Sequence, residues 1–354
     1  MTIRSAAKHR RSRPAGRVQV RPRRWTGMLV PVLAAAAVAT TVGGASPAVA
    51  QPNPNQTVTI GGDPRGVAVD ADNKHAYVAS FADNAVRVID TDTQRVVGSV
   101  EVGAGPRGLA VDPDSRHAFV TNYLENSVSV IDTANGKVIR DIPVGVNPVA
   151  VAVFPRDHYA FVTNYYGNTV SVIDSKKLEM IETVPVGANP DGVAIDPKGE
   201  FALVANSGSN TVTVISIREK RVVRNIIVGR APQKVAIDPD GRHAYVTNFG
   251  DHTVSVINLP TQLGLDVFNT ILQVNDTIPV GINPRGLAVD RSSRFTFVVN
   301  VAEETMSVID SEAGTVIDTK FVGFGPDEVA VGPDGTAYVT ARGDGTVTVV
   351  RPPR

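Results

Sequence analysis

Residues Gly103 to Val144 read GAGPRGLAVDPDSRHAFVTNYLENSVSVIDTANGKVIRDIPV, and this stretch decides the fold. Leu109-Ala110-Val111 is a short strand, and the Asp112-Pro113-Asp114-Ser115 that follows is turn chemistry. His117 to Thr121 makes a second strand, a loop runs from Asn122 to Asn126, and Val128-Ser129-Val130-Ile131 alternates as a third strand does. Asp132-Thr133-Ala134-Asn135-Gly136 then turns the chain into a fourth strand, Lys137 to Val144. Four short strands joined by tight turns make one antiparallel sheet.

The unit recurs along the chain. Its leading glycine stands at Gly61, Gly103, Gly145, Gly187, Gly229, Gly281 and Gly323, at intervals of 42, 42, 42, 42, 52 and 42 residues. A period near 40 suits a propeller blade, a helical repeat or an array, and the period-two pattern within each unit selects the propeller. The expected fold is therefore all-β, a seven-bladed β-propeller of four-stranded blades occupying residues 51–354. The last unit reaches Arg354 just after its third strand, Thr346 to Val350, while Thr57 to Ile60 precede Gly61 as Ser99 to Val102 precede Gly103. The N-terminal strand is expected to complete the last blade and close the ring, which removes the open sheet edges that invite aggregation.

The second strand of each unit carries a tetrad: Tyr245-Val246-Thr247-Asn248 spells YVTN, and Phe119 to Asn122 and Phe161 to Asn164 read FVTN. Looser copies stand at Tyr77 to Ser80, Leu203 to Asn206, Phe297 to Asn300 and Tyr338 to Ala341. On these residues the chain resembles the YVTN β-propeller repeat family of exported bacterial proteins. The resemblance covers everything after residue 50 and implies the fold strongly and a chemistry weakly, since such proteins are linked variously to cell-surface layers, to nucleic acid or to no known activity. The WD40 alternative lacks its Trp-Asp signature, because the only tryptophan is Trp25.

Residues 1–50 differ from the rest. Arg4, Lys8, Arg10, Arg11, Arg13, Arg17, Arg21, Arg23 and Arg24 occur there with no acidic residue, followed by an apolar run from Met28 to Val42 and by Ala48-Val49-Ala50. A basic segment, an apolar segment and an A-x-A site in that order describe a secretory signal peptide cleaved after Ala50. The apolar run is short of the roughly 20 residues a membrane span needs, so no stable membrane insertion is expected after cleavage. Arg23-Arg24 hints at twin-arginine export, but Trp25-Thr26-Gly27 matches such signals poorly, and the route stays open. The expected location is extracytoplasmic, secreted or at the cell surface, and the expected state is a monomer.

The whole chain carries 35 basic and 35 acidic residues, and removing the nine basic residues of the leader leaves 26 against 35, a net charge of −9. An acidic body argues against duplex nucleic acid or a membrane surface as partner, because both reward a positive face. The chain has no cysteine, which excludes a lipid-anchored N-terminal Cys, covalent haem, thiolate metal sites and a Cys nucleophile.

In a propeller the default ligand site is the mouth of the central channel. The position after each loop proline holds Arg65, Arg107, Val149, Asp191, Gln233, Arg285 and Asp327, and the position after each tetrad holds Phe81, Tyr123, Tyr165, Ser207, Phe249, Val301 and Arg342. Closing the ring brings Arg285, Arg342, Arg65 and Arg107 into blades 6, 7, 1 and 2, so arginines and aromatics converge on one mouth of an acidic protein. The candidate ligand-binding set is Arg65, Arg107, Arg285, Arg342, Phe81, Tyr123, Tyr165 and Phe249. Guanidinium groups grip carboxylate or phosphate, and aromatic faces stack on rings. The alternative is that the arginines pair with Asp63, Asp327 or Asp344 and the aromatics pack between blades.

His75, His117 and His243 share one repeat position on the opposite face, which suits a surface preference better than a metal cluster, and His252 is a lone loop histidine at the mouth. Asp70, Asp112, Asp196, Asp238 and Asp290 recur with the turns and are expected to cap them. No G-x-S-x-G, H-E-x-x-H, Walker or dinucleotide motif is present, and no cofactor or metal is expected. Ten extra residues within Leu259 to Val274 lengthen the fifth unit on the opposite face.

The leading expectation is a non-catalytic extracytoplasmic binding or scaffold protein whose mouth takes an anionic small molecule or polymer. Two other classes stay open. One is a propeller enzyme, a lyase, lactonase or isomerase/cyclase, in which Arg342, Asp344, His252 or Asp191 would act. The other is nucleic-acid binding, which the net charge opposes.

Overall fold

The computed structural model describes residues 56–112, 114, 116–154, 158–259 and 272–351, and the expectations for the leader and for most of the 259–274 insertion lie outside them. Twenty-eight strands, β1 to β28 in chain order, form seven four-stranded antiparallel sheets among the described residues. The first blade shows the plan: β2 (Pro64–Val69) lies innermost, then β3 (His75–Ser80), β4 (Ala85–Asp90) and β5 (Arg95–Glu101) outermost.

The seventh blade differs as the repeat arithmetic requires. Its order is β26 (Pro326–Val331), β27 (Ala337–Ala341), β28 (Thr346–Val350) and then β1 (Gln56–Thr59), with Gln56 opposite Val349 and Thr59 opposite Thr346. The N-terminal strand thus supplies the outer strand of the last blade. The Ile60 and Gly61 amides continue this seam by donating to the Gly345 carbonyl at 2.8 and 2.9 Å.

The core lies between blades, because each sheet buries both faces. Tyr77, Ala79 and Val86 of blade 1 pack with Leu109, Ala118, Val120 and Ile131 of blade 2, whereas Ala76, Val78 and Ile89 face Tyr338, Val347 and Val349 of blade 7. The first tetrad residue is the large wedge at these junctions: Phe119, Phe161 and Phe297 are completely buried. Burying each such ring contributes about 1.5–3 kcal/mol relative to leaving it in water.

The other tetrad positions form hydrogen bonds that repeat around the ring. The terminal asparagine reaches across to the third strand, where Asn122 Nδ2 donates to Ser127 and Ser129 at 2.9 and 2.8 Å, and Asn164, Asn206, Asn248 and Asn300 do the same to hydroxyls five and seven residues on. This clamp requires the leading glycine of the repeat, since a Cβ on Gly145 would sit 2.5 Å from the Asn164 carboxamide.

The threonine clamps blade to blade. Thr121 Oγ1 accepts the Gly108 amide of its own blade and donates to the Val149 carbonyl of the next, and Thr163 donates likewise to Asp191, Thr247 to Arg285 and Thr340 to Arg65. Each acceptor belongs to the residue just after a loop proline, so the clamp fixes the backbone that presents the mouth side chains.

Candidate functional site

Two local features aim side chains into the mouth. In every blade the register between the first and second strands shifts between the loop proline and the third residue after it, as between Pro64 and Val67 or between Pro284 and Leu287. Such a bulge leaves residues without a cross-strand partner and redirects them. Arg65, Arg107, Val149, Asp191, Gln233, Arg285 and Asp327 occupy it.

The residue before each proline adopts a left-handed backbone: Asp63, Gly105, Asn147, Asn189, Ala231, Asn283 and Gly325 have φ of 58, 66, 53, 52, 49, 57 and 59°. Glycine, asparagine and aspartate tolerate this region best. Blade 1 places its aspartate there, and Asp63 becomes the acceptor on which the charged side of the mouth is assembled.

Arg65 Nη2 lies 2.8 Å and Arg342 Nε 2.7 Å from the Asp63 carboxylate. Arg342 also approaches Asp327 at 3.9 Å, and Arg285 Nη1 stands 2.7 Å from Asp327 Oδ1 in a charge contact that is poorly aligned as a hydrogen bond. Three guanidinium groups therefore share two carboxylates across blades 6, 7 and 1. Burial pushes the Asp63 carboxyl up, but hydrogen bonds from Arg342 and Arg65 outweigh it and hold the group below the usual carboxylate range. The field of Asp327 outweighs burial at Arg285 and raises its pKa.

The remaining floor charges pair one to one. Arg107 of blade 2 lies 3.6 Å from Asp191 of blade 4, and Lys234 of blade 5 is hydrogen-bonded to Glu328 of blade 7. The Lys234 and Glu328 side chains keep 25 % and 17 % exposure, which is to the channel they cross. Burial raises the Glu328 pKa, and Lys234 opposes the shift.

This Lys–Glu layer divides the channel. A hollow of about 30 Å³ lies on the mouth side, bounded by Arg107, Val149, Asp191, Gln233, Arg285 and Asp327. Another of about 160 Å³ lies beyond, and Gly66, Gly108, Lys234 and Glu328 border both. The mouth is accordingly a shallow dish with a charged floor.

The aromatics form an arc over blades 1 to 3. The Arg65 guanidinium lies 4.4 Å from the Phe81 ring centre and that of Arg107 5.3 Å from Tyr123, while Phe81 and Tyr123 are tilted neighbours at 6.5 Å. Tyr165 meets Tyr166 edge-on at 5.0 Å. Phe249 stands apart in blade 5.

The structure thus brings together Arg65, Arg285 and Arg342, and through the contact of Arg65 with Phe81 joins them to the arc of Phe81, Tyr123 with Arg107, and Tyr165. The arginines do pair with acids, as the alternative reading held, through Asp63, Asp327 and Asp191. Asp344 takes a different role and accepts the Phe324 amide at 2.8 Å. His252 Nδ1 accepts the Asn283 amide at 3.1 Å, a loop-holding bond.

Lys234, Glu328 and Tyr166 were not singled out by sequence reading. The signal for the first two was present. The second position after the loop proline holds Gly66, Gly108, Ala150, Gly192, Lys234, Gly286 and Glu328, so two opposite charges interrupt a ring of small residues.

A wider hollow of about 300 Å³ opens on the opposite face, lined by Asp112, Arg116, His117, His158 and Lys176 among others. Its His117–Asp112 contact of 3.1 Å recurs as His75–Asp70 and His243–Asp238 at 3.1 and 3.0 Å, and Asp70 and Asp238 also accept turn amides. That pattern belongs to the blade. Among the described residues no group of three or more His, Asp or Glu side chains is placed to hold a metal ion.

A family model described as "Lactonase, 7-bladed beta-propeller" matches residues 93–226, less than half of the chain. Among solved structures, Kuenenia stuttgartiensis hydrazine synthase is similar at 22 % identity and a TM-score of 0.70, over 82 % of this chain and 96 % of that one. The β-propeller domain of Myceliophteria thermophila Cps50 (Swd1) is similar at 11 % identity and a TM-score of 0.74, over 84 % and 99 %. A functionally unknown protein from Desulfotomaculum acetoxidans aligns at 18 % identity and a TM-score of 0.64, over 73 % and 86 %. At these identities the likeness shows the propeller fold alone. No curated protein matches the chain.

Proposed function

We propose that this chain is an exported binding protein whose propeller mouth holds a small ring-bearing molecule with one negative charge. The observation that carries the reading is the charge count at the junction of blades 6, 7 and 1. Arg65, Arg285 and Arg342 share Asp63 and Asp327, whereas Arg107–Asp191 and Lys234–Glu328 are balanced. Among these floor groups one cation is in excess beside the Phe81–Tyr123 arc, with the Asp344 carboxylate engaged at the rim by the Phe324 amide, on a body of net charge −9 after residue 50. A single oxyanion neutralises it, and the aromatic arc accepts the flat body. Export rests on the basic, apolar, A-x-A order of residues 1–50.

An open dish favours binding over turnover, because it leaves a reacting group in water. The test is thermal unfolding of protein lacking residues 1–50 with matched acid and neutral probes, galacturonate against galactose and benzoate against benzamide. The acids raise the unfolding midpoint and the neutral partners do not, and salt suppresses the rise. Equal shifts from acid and neutral partners would defeat the reading.

The lactonase-type family match supports a second reading, opening of a lactone at the same mouth, whose hydroxy-acid product carries one negative charge. Proton release from gluconolactone that is faster with native than with heat-denatured protein is the outcome this reading requires.

A further inference from the structure

We propose that the mouth takes the acidic end of a sugar chain, the rest of which leaves the dish over blade 4. The inference rests on the proposed anion-binding reading and adds the class of ligand and its direction.

The seven rim loops share one backbone pattern. The Tyr165, Ser207 and Phe249 amides donate to the Asn147, Asn189 and Ala231 carbonyls at 3.0, 2.9 and 3.2 Å in blades 3, 4 and 5. Rim height is therefore set by side chains. Blade 3 presents Val146, Tyr165 and Tyr166 at the three rim positions, and blade 5 presents Arg230, Phe249 and Gly250. Blade 4 has only Ala188, Ser207 and Gly208 there, the smallest trio of the ring. It forms a notch flanked by Tyr165 and Phe249. In a seven-fold ring, blade 4 lies across from the junction of blades 7 and 1, where the excess cation sits.

Between pole and notch the floor alternates donors and acceptors through Arg107–Asp191 and Lys234–Glu328. Each sugar hydroxyl is donor and acceptor at once, so a row of such pairs satisfies neighbouring hydroxyls together. The Phe81–Tyr123–Tyr165 arc offers faces for the C–H side of pyranose rings. A carboxylated terminal sugar matches the pole. A peptide held by its C-terminal carboxylate would use the same pole, but the charged pairs between pole and notch offer the rest of it neither an apolar side-chain pocket nor a free strand edge.

The experiment is titration calorimetry with oligogalacturonates of one to six rings, on protein lacking residues 1–50 and on its Ser207→Tyr variant. Tyr165 and Phe249 carry an aromatic at the same repeat position, so the variant copies its neighbours and keeps the fold. Affinity is expected to rise about tenfold from one ring to three and then level off. Ser207→Tyr should return the trimer to the monomer's affinity and leave galacturonate itself unchanged. If galacturonate binds but six rings bind no tighter, or the variant binds the trimer like wild type, the notch is wrong and the anion reading stands. Failure of every acid, monomer included, overturns both. Neutral maltooligosaccharides binding as tightly, or a peptide with a free C-terminal carboxylate binding more tightly, overturns the acidic sugar chain.

Discussion

Ala231 shows how closely the mouth depends on single backbone positions. It holds φ of 49° where blades 3, 4 and 6 use asparagine and blades 2 and 7 glycine. Those asparagines also bridge blades: Asn147 Nδ2 donates to the Tyr123 carbonyl at 2.9 Å, Asn189 to Tyr165 at 3.3 Å and Asn283 to Phe249 at 3.2 Å. Alanine in the left-handed region costs about 1 kcal/mol and makes no such bridge. Ala231→Asn is therefore expected to stabilise the protein by about 1–2 kcal/mol, adding the bridge to the relieved strain. A higher urea midpoint at unchanged m-value is the expected result, and no gain would mean that the asparagines of the other blades are neutral. At this scale the sequence revealed the arginines and aromatics of the mouth and offered Asp63 and Asp327 as partners for them, but it concealed the pairing of Arg107 with Asp191. Arg107–Asp191 joins blades 2 and 4 through space, which no local pattern encodes. Lys234 and Glu328 were visible only by comparing one repeat position around the whole ring.

Strand order was legible because each blade repeats the same turn chemistry. The inner-strand bulge was not. Leu109-Ala110-Val111 reads as the whole first strand of blade 2, whereas the strand begins at Pro106 and carries Arg107 and Gly108 in an irregular register. A bulge conserves the apolar pattern on either side of itself, so alternation cannot reveal it. The N-terminal strand is the element whose removal tests the architecture. β1 pairs along β28 through four residues, and Val58 and Ile60 join the core between blades 7 and 1. Deleting residues 51–60 removes that pairing and exposes the β28 edge. The truncated protein should lose several °C in unfolding temperature, since a loss of 1 kcal/mol alone moves the midpoint by about 2–4 °C in a domain this large. Identical unfolding of truncated and full-length propeller would refute closure by the N-terminal strand.

Across the whole molecule the notable asymmetry is electrostatic. Residues 51–354 carry net charge −9, yet one sector of one mouth gathers Arg65, Arg285 and Arg342 around only Asp63 and Asp327. A local positive potential on an acidic body concentrates anions at that sector. The most direct measurement is the affinity of galacturonate for the Arg65→Ala, Arg342→Ala double variant, set beside Arg242→Ala, Arg294→Ala on the opposite face, with the unfolding midpoint of each recorded in parallel. Removing the mouth pair should weaken binding at least about 30-fold, on the order of 2 kcal/mol, while the opposite pair stays within about twofold of wild type. Equal affinities for the two folded double variants would contradict an anion site at this mouth.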